Sequence, residues 1–196
     1  MQPVSASTDF RTRLSRRLTT EMLMPKMTPM MLLKQDHQKV KTLLAELNAT
    51  TERAVSKRIA LRQQIFQEIK THTALEEELF YPAFHTAAKK RENDKLFFEA
   101  LEEHRAADMV LADLMRADPS TLSFAGKAKV LRELIEHHIM EEEDEMFPLA
   151  KKLLSVDQLT ALAASMEQRK MELTSGKAKT RVNGTARRRT EPRAMV

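Results

Sequence analysis

The sequence predicts an all-α protein, an up-down-up-down four-helix bundle with a short fifth helix at its C-terminal end and disordered basic tails. Three observations indicate this class. The 196 residues include only 3 Gly and 1 Tyr, and they are dominated by Ala, Leu, Glu, Lys, Arg and Met, which favour helices. Four long segments repeat apolar residues at helical spacing. The connections between these segments are short, which places neighbouring helices antiparallel to one another.

The composition also excludes several classes of protein. The chain has no Cys, which excludes disulfides, thiolate catalysis, iron–sulfur ligation and Cys-based zinc sites. It has no run of about 18 apolar residues, so no membrane-spanning helix is expected. The N-terminal segment lacks the apolar stretch of a signal peptide. We therefore expect a cytoplasmic protein with no membrane partner.

The basic charge is concentrated at the two ends of the chain. Residues 1–30 have a net charge of +3 and residues 175–196 have +6, which leaves −4 for the residues between them. We predict that residues 1–27 are an extension, either disordered or lying before the true translation start, with a transit peptide as an alternative. Residues 175–196 lack apolar periodicity and are predicted to be disordered. The run Arg187–Arg189 can attract nucleic acid electrostatically, although a solubilising tail is the favoured interpretation.

The folded domain is predicted over residues 28–174, and its first helix covers about 28–48. Thr28 followed by Pro29 is a helix-start signal, because a hydroxyl cap precedes a proline at the first helical position. His37 falls on the apolar face of this helix. The apolar residues of that face are Leu33, Val40, Leu44 and Leu47.

Three further long helices follow the same amphipathic pattern. They are predicted at about 53–88, 94–116 and 123–153. Pro82 lies near the end of the second helix and Pro148 near the end of the fourth. A proline inside a helix removes a backbone donor, so Pro82 is expected to kink or weaken its helix.

A short fifth helix is predicted from Ser155 to about residue 173. Ser155 and Gln158 form a capping box, in which each side chain satisfies the backbone N–H of the other residue. Ser175 and Gly176 are expected to end this helix, which then packs across the bundle or against a partner.

Two segments of the sequence match each other and carry the residues of chemical interest. THTALEEELFYP at 71–82 matches HHIMEEEDEMFP at 137–148. In both, a His is followed by Glu four and five residues later, by an aromatic residue at nine and by Pro at ten. The helices that precede them also match, each with one His followed by Leu at seven and ten residues. The matched histidines and glutamates are His37, His72 and Glu76 in the first copy and His104, His138 and Glu142 in the second.

This repeat indicates a metal site. A spacing of four residues places His and Glu one turn apart on the same helix face. Two such hairpins related by a pseudo-twofold axis bring four imidazoles and two carboxylates into one core, where they are costly unless paired or metal-bound. Six ligands exceed what one tetrahedral zinc needs, whereas imidazole with bridging carboxylate suits iron or manganese. We predict two metal ions, each held by two histidines and bridged by Glu76 and Glu142.

Two other histidines are predicted to lie outside the ligand set. His137 competes with His138, because Glu141 follows it at the same spacing of four residues. The repeat alignment favours His138, which leaves His137 near the ligands or exposed. His85 has no counterpart in the repeat and is expected at the surface or at a helix end.

The predictions for the aromatic and acidic residues near the ligands are less specific. Tyr81 is expected to pack near Pro82 rather than among the ligands. The acidic residues around the ligands are expected to be solvated or to lie just outside the ligand set, and one of Glu77 or Glu143 is an alternative ligand.

With this ligand pattern, the sequence resembles the hemerythrin-like proteins of the HHE cation-binding type over about residues 29–173. The family's pattern is matched in order and spacing by His37, His72-x-x-x-Glu76, His104 and His138-x-x-x-Glu142. The resemblance implies a four-helix bundle with a non-haem di-iron centre. Members of the family variously bind oxygen, sense oxygen or iron, decompose peroxide, or repair iron centres damaged by nitric oxide.

One position departs from the respiratory hemerythrins, which have two His one turn apart on the third helix. Here the residue four after His104 is Asp108, which is expected to be a weak ligand or an acceptor for one. Four histidines leave more open coordination, which favours redox reaction over reversible oxygen carriage. The resemblance therefore implies reaction with O2, H2O2 or NO in oxidative or nitrosative stress, with peroxide decomposition favoured. Oxygen or iron sensing, or iron storage, without turnover is the alternative.

Overall fold

The computed structural model describes the backbone of residues 27–88 and 91–186, and the side chains of residues 27–88 and 94–175. These parts of the chain form helices joined by short connections, so the all-α prediction is confirmed. The predicted N-terminal extension, up to residue 26, lies outside the described residues. The end of the basic tail, residues 187–196, also lies outside them.

The described residues form five helices. They are α1 (Pro29–Asn48), α2 (Val55–Leu75, Glu76–Phe80 and Tyr81–Ala87), α3 (Arg91–Arg116), α4 (Leu122–Glu141, Glu142–Met146 and Phe147–Leu153) and α5 (Val156–Ala186). Around the bundle, α1 packs against α2, α2 against α3, α3 against α4 and α4 against α1. The fifth helix packs against α1 and α2, so it covers only one side of the bundle. None of the described helices is long and apolar enough to cross a membrane.

Hydroxyl caps fix the starts of three helices. The Thr28 Oγ1 accepts a hydrogen bond of 3.2 Å from the Met31 N–H, and Pro29 occupies the first helical position as predicted. In the same way, the Thr121 side chain caps the start of α4. At α5, the Ser155 N–H donates to Gln158 Oε1 and the Gln158 N–H donates to Ser155 Oγ, which is the predicted reciprocal box.

The fifth helix is longer than the sequence indicated. It continues through Ser175 and Gly176 to Ala186, where the sequence predicted a helix end and a disordered tail. A glycine ends a helix by taking a left-handed backbone conformation, and no described glycine has a positive φ. A single glycine inside a helix costs only about 1 kcal/mol relative to alanine, which does not stop a helix that other residues favour.

Both metal-ligand segments contain one wider turn of π-helix. The Tyr81 N–H bonds to the Glu76 carbonyl five residues back, and the Phe147 N–H bonds to the Glu142 carbonyl in the same way. Pro82 and Pro148 then lie in the first turn of the α-helical piece that follows, where a missing N–H has no cost. The helices therefore continue past both prolines. π turns of this kind occur often at functional sites.

The apolar core consists of two layers with a polar layer between them. One layer, next to the chain connections after α1 and α3, includes Leu44, Ile65, Leu111 and Leu131. The other lies around the two π turns and includes Leu33, Phe80, Phe84 and Phe147. The buried histidines and glutamates of the repeat lie between these layers, so the packing of the whole bundle holds them in place.

Candidate metal centre

All six side chains predicted as ligands lie together in the polar layer. Each is at most 8% exposed. Donor atoms of His37, His72, Glu76 and Glu142 form one group, and donor atoms of Glu76, His104 and His138 form a second; within each group all distances are below 4.8 Å. The two groups share Glu76. The structure therefore brings together two adjacent donor sets from the four bundle helices.

Each glutamate lies between two histidines from different halves of the chain. Glu76 Oε1 is 3.0 Å from His72 Nε2, and its Oε2 is 3.3 Å from His104 Nε2. Glu142 Oε2 is 3.2 Å from His37 Nε2 and 3.8 Å from His138 Nε2. Glu76 therefore directs one oxygen toward each donor set, which is the arrangement of a bridging ligand. Glu142 directs the same oxygen toward both histidines, and its other oxygen accepts a hydrogen bond from the Tyr81 hydroxyl.

The buried donor atoms fit a metal. His37 Nε2, His72 Nε2, both oxygens of Glu76 and Glu142 Oε2 make no geometrically acceptable hydrogen bond among the described residues. A buried polar atom without a partner is costly, and here several of them point at one another. Imidazole and carboxylate are ligands that suit iron and manganese. The donor set therefore fits bound metal better than a network of internal hydrogen bonds.

A carboxylate faces the Nδ1 atom of every one of the four histidines. The Nδ1 of His37 is 2.8 Å from Glu143 Oε1. The other three distances are His104 Nδ1 to Glu77 Oε1 at 2.9 Å, His138 Nδ1 to Glu103 Oε2 at 2.8 Å and His72 Nδ1 to Asp36 Oδ2 at 3.8 Å. We call Asp36, Glu77, Glu103 and Glu143 the outer carboxylates. A carboxylate on Nδ1 orients the ring and leaves Nε2 to bind metal.

The outer carboxylates occupy equivalent positions in the two copies of the repeat, so the sequence pattern could have predicted them. Asp36 and Glu103 directly precede the single histidines, and Glu77 and Glu143 directly follow the bridging glutamates. The repeat is therefore Asp/Glu-His followed by His-x-x-x-Glu-Glu. Glu77 and Glu143 were expected to be solvated or to lie just outside the ligand set, with one of them as an alternative ligand. Both contact imidazole Nδ1 atoms.

The prediction that Tyr81 lies away from the ligands is wrong. Its hydroxyl donates a hydrogen bond of 2.9 Å to Glu142 Oε1 and is 3.3 Å from His104 Nε2. The residue is fully buried. The π turn explains the difference, because its i→i+5 hydrogen bond accommodates one extra residue in the turn and brings Tyr81 toward the side of the helix that carries Glu76. Ordinary α-helical spacing does not.

The structure also places the remaining candidates. Asp108, expected near the ligands, is 42% exposed and pairs with Lys70 at 2.6 Å, so its predicted role as a ligand or acceptor is wrong. His137 is 55% exposed, whereas His138 is buried beside His104. His85 is 41% exposed and pairs with Asp94, as its lack of a repeat partner indicated.

The electrostatics of the metal-free protein favour protonated imidazoles. Burial opposes a charge on His72, but the carboxylates of Glu76, Asp36 and Glu142 outweigh burial and raise its pKa to about 10. For His104, burial is likewise outweighed by Glu76 and Glu77, and the pKa rises to about 9. Burial would also raise the pKa of Glu76, but His72 and His104 hold it well below its usual value. In the absence of metal, protons therefore occupy positions where metal ions would bind.

We expect metal uptake at pH 7 to release about two protons per chain, because His72 and His104 each carry one beforehand and a ligand nitrogen must be free of it. Both pKa values lie above 7, so the affinity for metal rises with pH from 7 towards 9 and 10 and falls on acidification. Calorimetric titration in two buffers of different ionisation enthalpy measures the number of protons. Metal binding that is independent of the buffer and of pH in this range would contradict the assignment.

A helical bundle with a buried cluster of histidines and glutamates defines the class of this molecule, a helical metal-binding protein. The chain belongs to the Hemerythrin HHE cation binding domain family, which matches residues 28–150. The resemblance drawn from the sequence is thereby confirmed.

Two similar proteins extend this comparison. The crystal structure of a Hemerythrin HHE cation binding domain-containing protein from Mycobacterium kansasii superposes with a TM-score of 0.68 at 26% identity, covering 81% of this chain and 94% of that chain. A curated relative named DNA nickase, from Nostoc sp. (strain PCC 7120 / SAG 25.82 / UTEX 2576), is 24% identical over 141 residues. That match covers 72% of this chain but only 38% of the relative, so the chain spans well under half of the relative's length.

Proposed function

We propose that this protein holds two non-haem iron ions and decomposes hydrogen peroxide, as part of oxidative or nitrosative stress handling. The ligands are His37, His72, His104 and His138, with Glu76 and Glu142 as bridges. Manganese suits the same donors. When bound, the metal pair supplies redox chemistry that the side chains of this chain do not have.

A small apolar cavity beside the histidines is the observation that carries this proposal. It measures about 20 Å³, which is room for one water-sized molecule. Apart from the four histidines, its walls are Val40, Ile69, Thr73, Ala107, Ile135 and Ile139. A cavity of this size and polarity admits H2O2, O2 or NO and excludes larger substrates. The size of the cavity therefore supports a small molecule of this kind as the substrate.

Tyr81 adds a proton donor to one side of the centre. Burial, together with the charges of Glu142 and Glu76, raises the pKa of its hydroxyl well above the usual value. The phenol is therefore neutral at pH 7 and holds its proton at Oη, 2.9 Å from Glu142 Oε1. Phe147 occupies the equivalent position in the other half, where no hydroxyl is present. The two halves of the centre thus differ in proton supply.

The redox balance favours peroxide over the other small oxidants. Two H2O2 give one O2 and two H2O, so one peroxide is oxidised and the other is reduced without any further reactant. Net reduction of O2 or NO needs electrons from an external reductant, which the disproportionation of peroxide does not. Tyr81 fits the peroxide reaction, because protons must be delivered to oxygen as the O–O bond breaks.

The test is oxygen release from peroxide by the iron-loaded protein, measured with an oxygen electrode beside metal analysis. We expect one O2 for every two H2O2 consumed. The isosteric Tyr81→Phe variant should keep its metal content, because phenylalanine already fits the equivalent position. Its turnover should fall by roughly tenfold or more through loss of the proton donor. A fully loaded wild-type protein that consumes no peroxide would overturn the proposal.

Sensing without turnover is the second candidate, and one contact favours it. Lys170 on α5 pairs with Asp36, the outer carboxylate that faces His72. The position of α5 is thus linked to a proposed ligand. Metal-dependent protection of α5 from hydrogen exchange, in a protein that consumes no peroxide, would favour sensing over catalysis.

The nucleic-acid prediction for Arg187–Arg189 stays a prediction, since these residues lie outside the described part of the chain. The name of the Nostoc relative, DNA nickase, is a reason to test whether these arginines bind DNA. Salt-sensitive binding to duplex DNA, lost when residues 176–196 are deleted, would favour it.

A further inference from the structure

Equivalent outer carboxylates differ in burial and in charged partners between the two halves of the bundle. Asp36 and Glu103 hold corresponding places in the repeat, each directly before a single histidine. Asp36 is buried, and its Oδ1 accepts a hydrogen bond from Lys170 on α5. Glu103 lies on the side that α5 does not cover, and 23% of its side chain is exposed. Within the described part of the chain, the ammonium group that balances Asp36 has no counterpart at Glu103.

The residues around Glu103 also depart from the repeat. His137 and Glu141 on α4 correspond to Thr71 and Leu75 on α2. Thr71 and Leu75 are buried, whereas His137 is half exposed and Glu141 is one-third exposed. Packing of the bundle accounts for the buried pair. It does not require an imidazole and a carboxylate at the exposed pair.

These three exposed side chains converge on one point. His137 Nε2 is 3.2 Å from Glu141 Oε1 and 3.4 Å from Glu103 Oε1. One donor atom from each of the three lies within 4.8 Å of the others. They line a surface hollow of about 360 Å³, so solvent molecules can complete the coordination of a bound ion. The other oxygen of Glu103 is 2.8 Å from His138 Nδ1, which connects the hollow directly to the buried centre.

Among the described side chains, the carboxylates of Glu103 and Glu141 have no lysine or arginine partner in this hollow. Two other glutamates in its wall are balanced, because Glu99 pairs with Lys95 and Glu102 pairs with Arg105. Among the described side chains, Glu103 and Glu141 form ion pairs only with histidines. A divalent cation at this point would supply the positive charge that Lys170 supplies to Asp36 in the other half.

We propose that Glu103, His137 and Glu141 form an external site for a divalent transition-metal ion, and that this site passes metal to the buried centre. One imidazole and two carboxylates suit Fe²⁺ and Mn²⁺. Glu103 belongs both to this site and to the outer carboxylates. Its carboxylate alone therefore separates a metal ion in the external site from His138, a proposed ligand of the buried centre. The delivery role rests on the proposed function, whereas binding at the external site does not.

The test counts Mn²⁺ on the full-length protein whose buried centre has first been filled with iron. Loss of the free Mn²⁺ signal in electron paramagnetic resonance should show one further ion per chain. His137→Ala and Glu141→Gln should each weaken this binding by roughly tenfold or more. His85→Ala removes an exposed histidine that also pairs with a carboxylate, and it should bind Mn²⁺ like the wild type. Absence of the further ion, or equal loss in His85→Ala, would overturn the site.

The delivery role has its own readout. Metal-free His137→Ala should take up Fe²⁺ several-fold more slowly than the wild type but reach the same final metal content. Equal initial rates would overturn delivery. If the wild type fills no buried centre but still binds the Mn²⁺ that His137→Ala loses, the proposed function fails and the external site stands.

Discussion

Replacing Glu76 and Glu142 together by alanine is expected to abolish binding of the metal pair. Each carboxylate lies between histidines of both halves of the chain, so the double variant removes both bridges and leaves four isolated imidazoles. Metal content should fall from about two ions per chain to a level near background, since loss of even a supporting group lowers affinity 10–100-fold. Metal analysis and the visible spectrum of the iron-loaded protein measure this directly.

The same variant should remain folded. Glu76 and Glu142 contribute to the raised pKa values of His72 and His104, so the variant lowers both values. Asp36 and Glu77 remain beside these rings and balance any charge that they keep. The two apolar layers on either side of the polar layer are unchanged by the substitutions, and they supply most of the packing that holds the bundle together. A helical circular dichroism spectrum and a cooperative melt are therefore expected without metal.

A matched control makes the same two substitutions at the surface. Glu46 and Glu133 are at least half exposed and pair with lysines. Glu46→Ala with Glu133→Ala should bind metal like the wild type. A Glu76→Ala, Glu142→Ala protein that keeps its full metal content would contradict the bridging assignment.

Much of this fold could be predicted because its signals are local. Thr28 before Pro29 and Ser155 before Gln158 mark helix starts through their own side chains, and the apolar spacing of the long helices defines their buried faces. Both His137 and His138 are followed by a Glu four residues later, so this spacing alone does not select between them. Only the alignment of the two repeats favours His138. The structure agrees with that choice, since His138 is buried and His137 is exposed.

The misplaced residues depend on effects that ordinary helical spacing does not contain. Tyr81 reaches the centre because a π turn inserts one extra residue ahead of Pro82, and no periodicity of 3.6 places it there. Asp108 has the right spacing from His104, yet it points to Lys70, because only tertiary packing decides between two adjacent faces. The length of α5 depends on a glycine that is helical rather than left-handed.

Arg58 is a buried residue outside the metal centre whose loss should strongly destabilise the protein. It is only 2% exposed, and its partners are Thr50 Oγ1 at 2.8 Å, the Thr50 carbonyl at 3.0 Å and the Pro119 carbonyl at 2.8 Å. Thr50 lies between α1 and α2, and Pro119 lies between α3 and α4. One guanidinium therefore joins the two connections at the end of the bundle remote from the π turns. It also stacks over Phe124, 5.2 Å from the ring centroid.

Arg58→Met is expected to lower the free energy of unfolding by about 3 kcal/mol, because methionine fills the space but leaves several buried acceptors without a donor. Arg58→Lys should recover only part of this loss, since an ammonium cannot reproduce the forked geometry of the guanidinium.

Urea unfolding of the metal-free protein measures the effect without any contribution from bound metal. Arg53→Met, at an exposed position five residues earlier, is the control and should change stability by less than about 0.5 kcal/mol. A loss below about 1 kcal/mol in Arg58→Met would mean that water replaces the guanidinium and that the bundle end does not depend on it. Because Arg58 touches no residue of the polar layer, the folded fraction of either variant should still bind its metal pair.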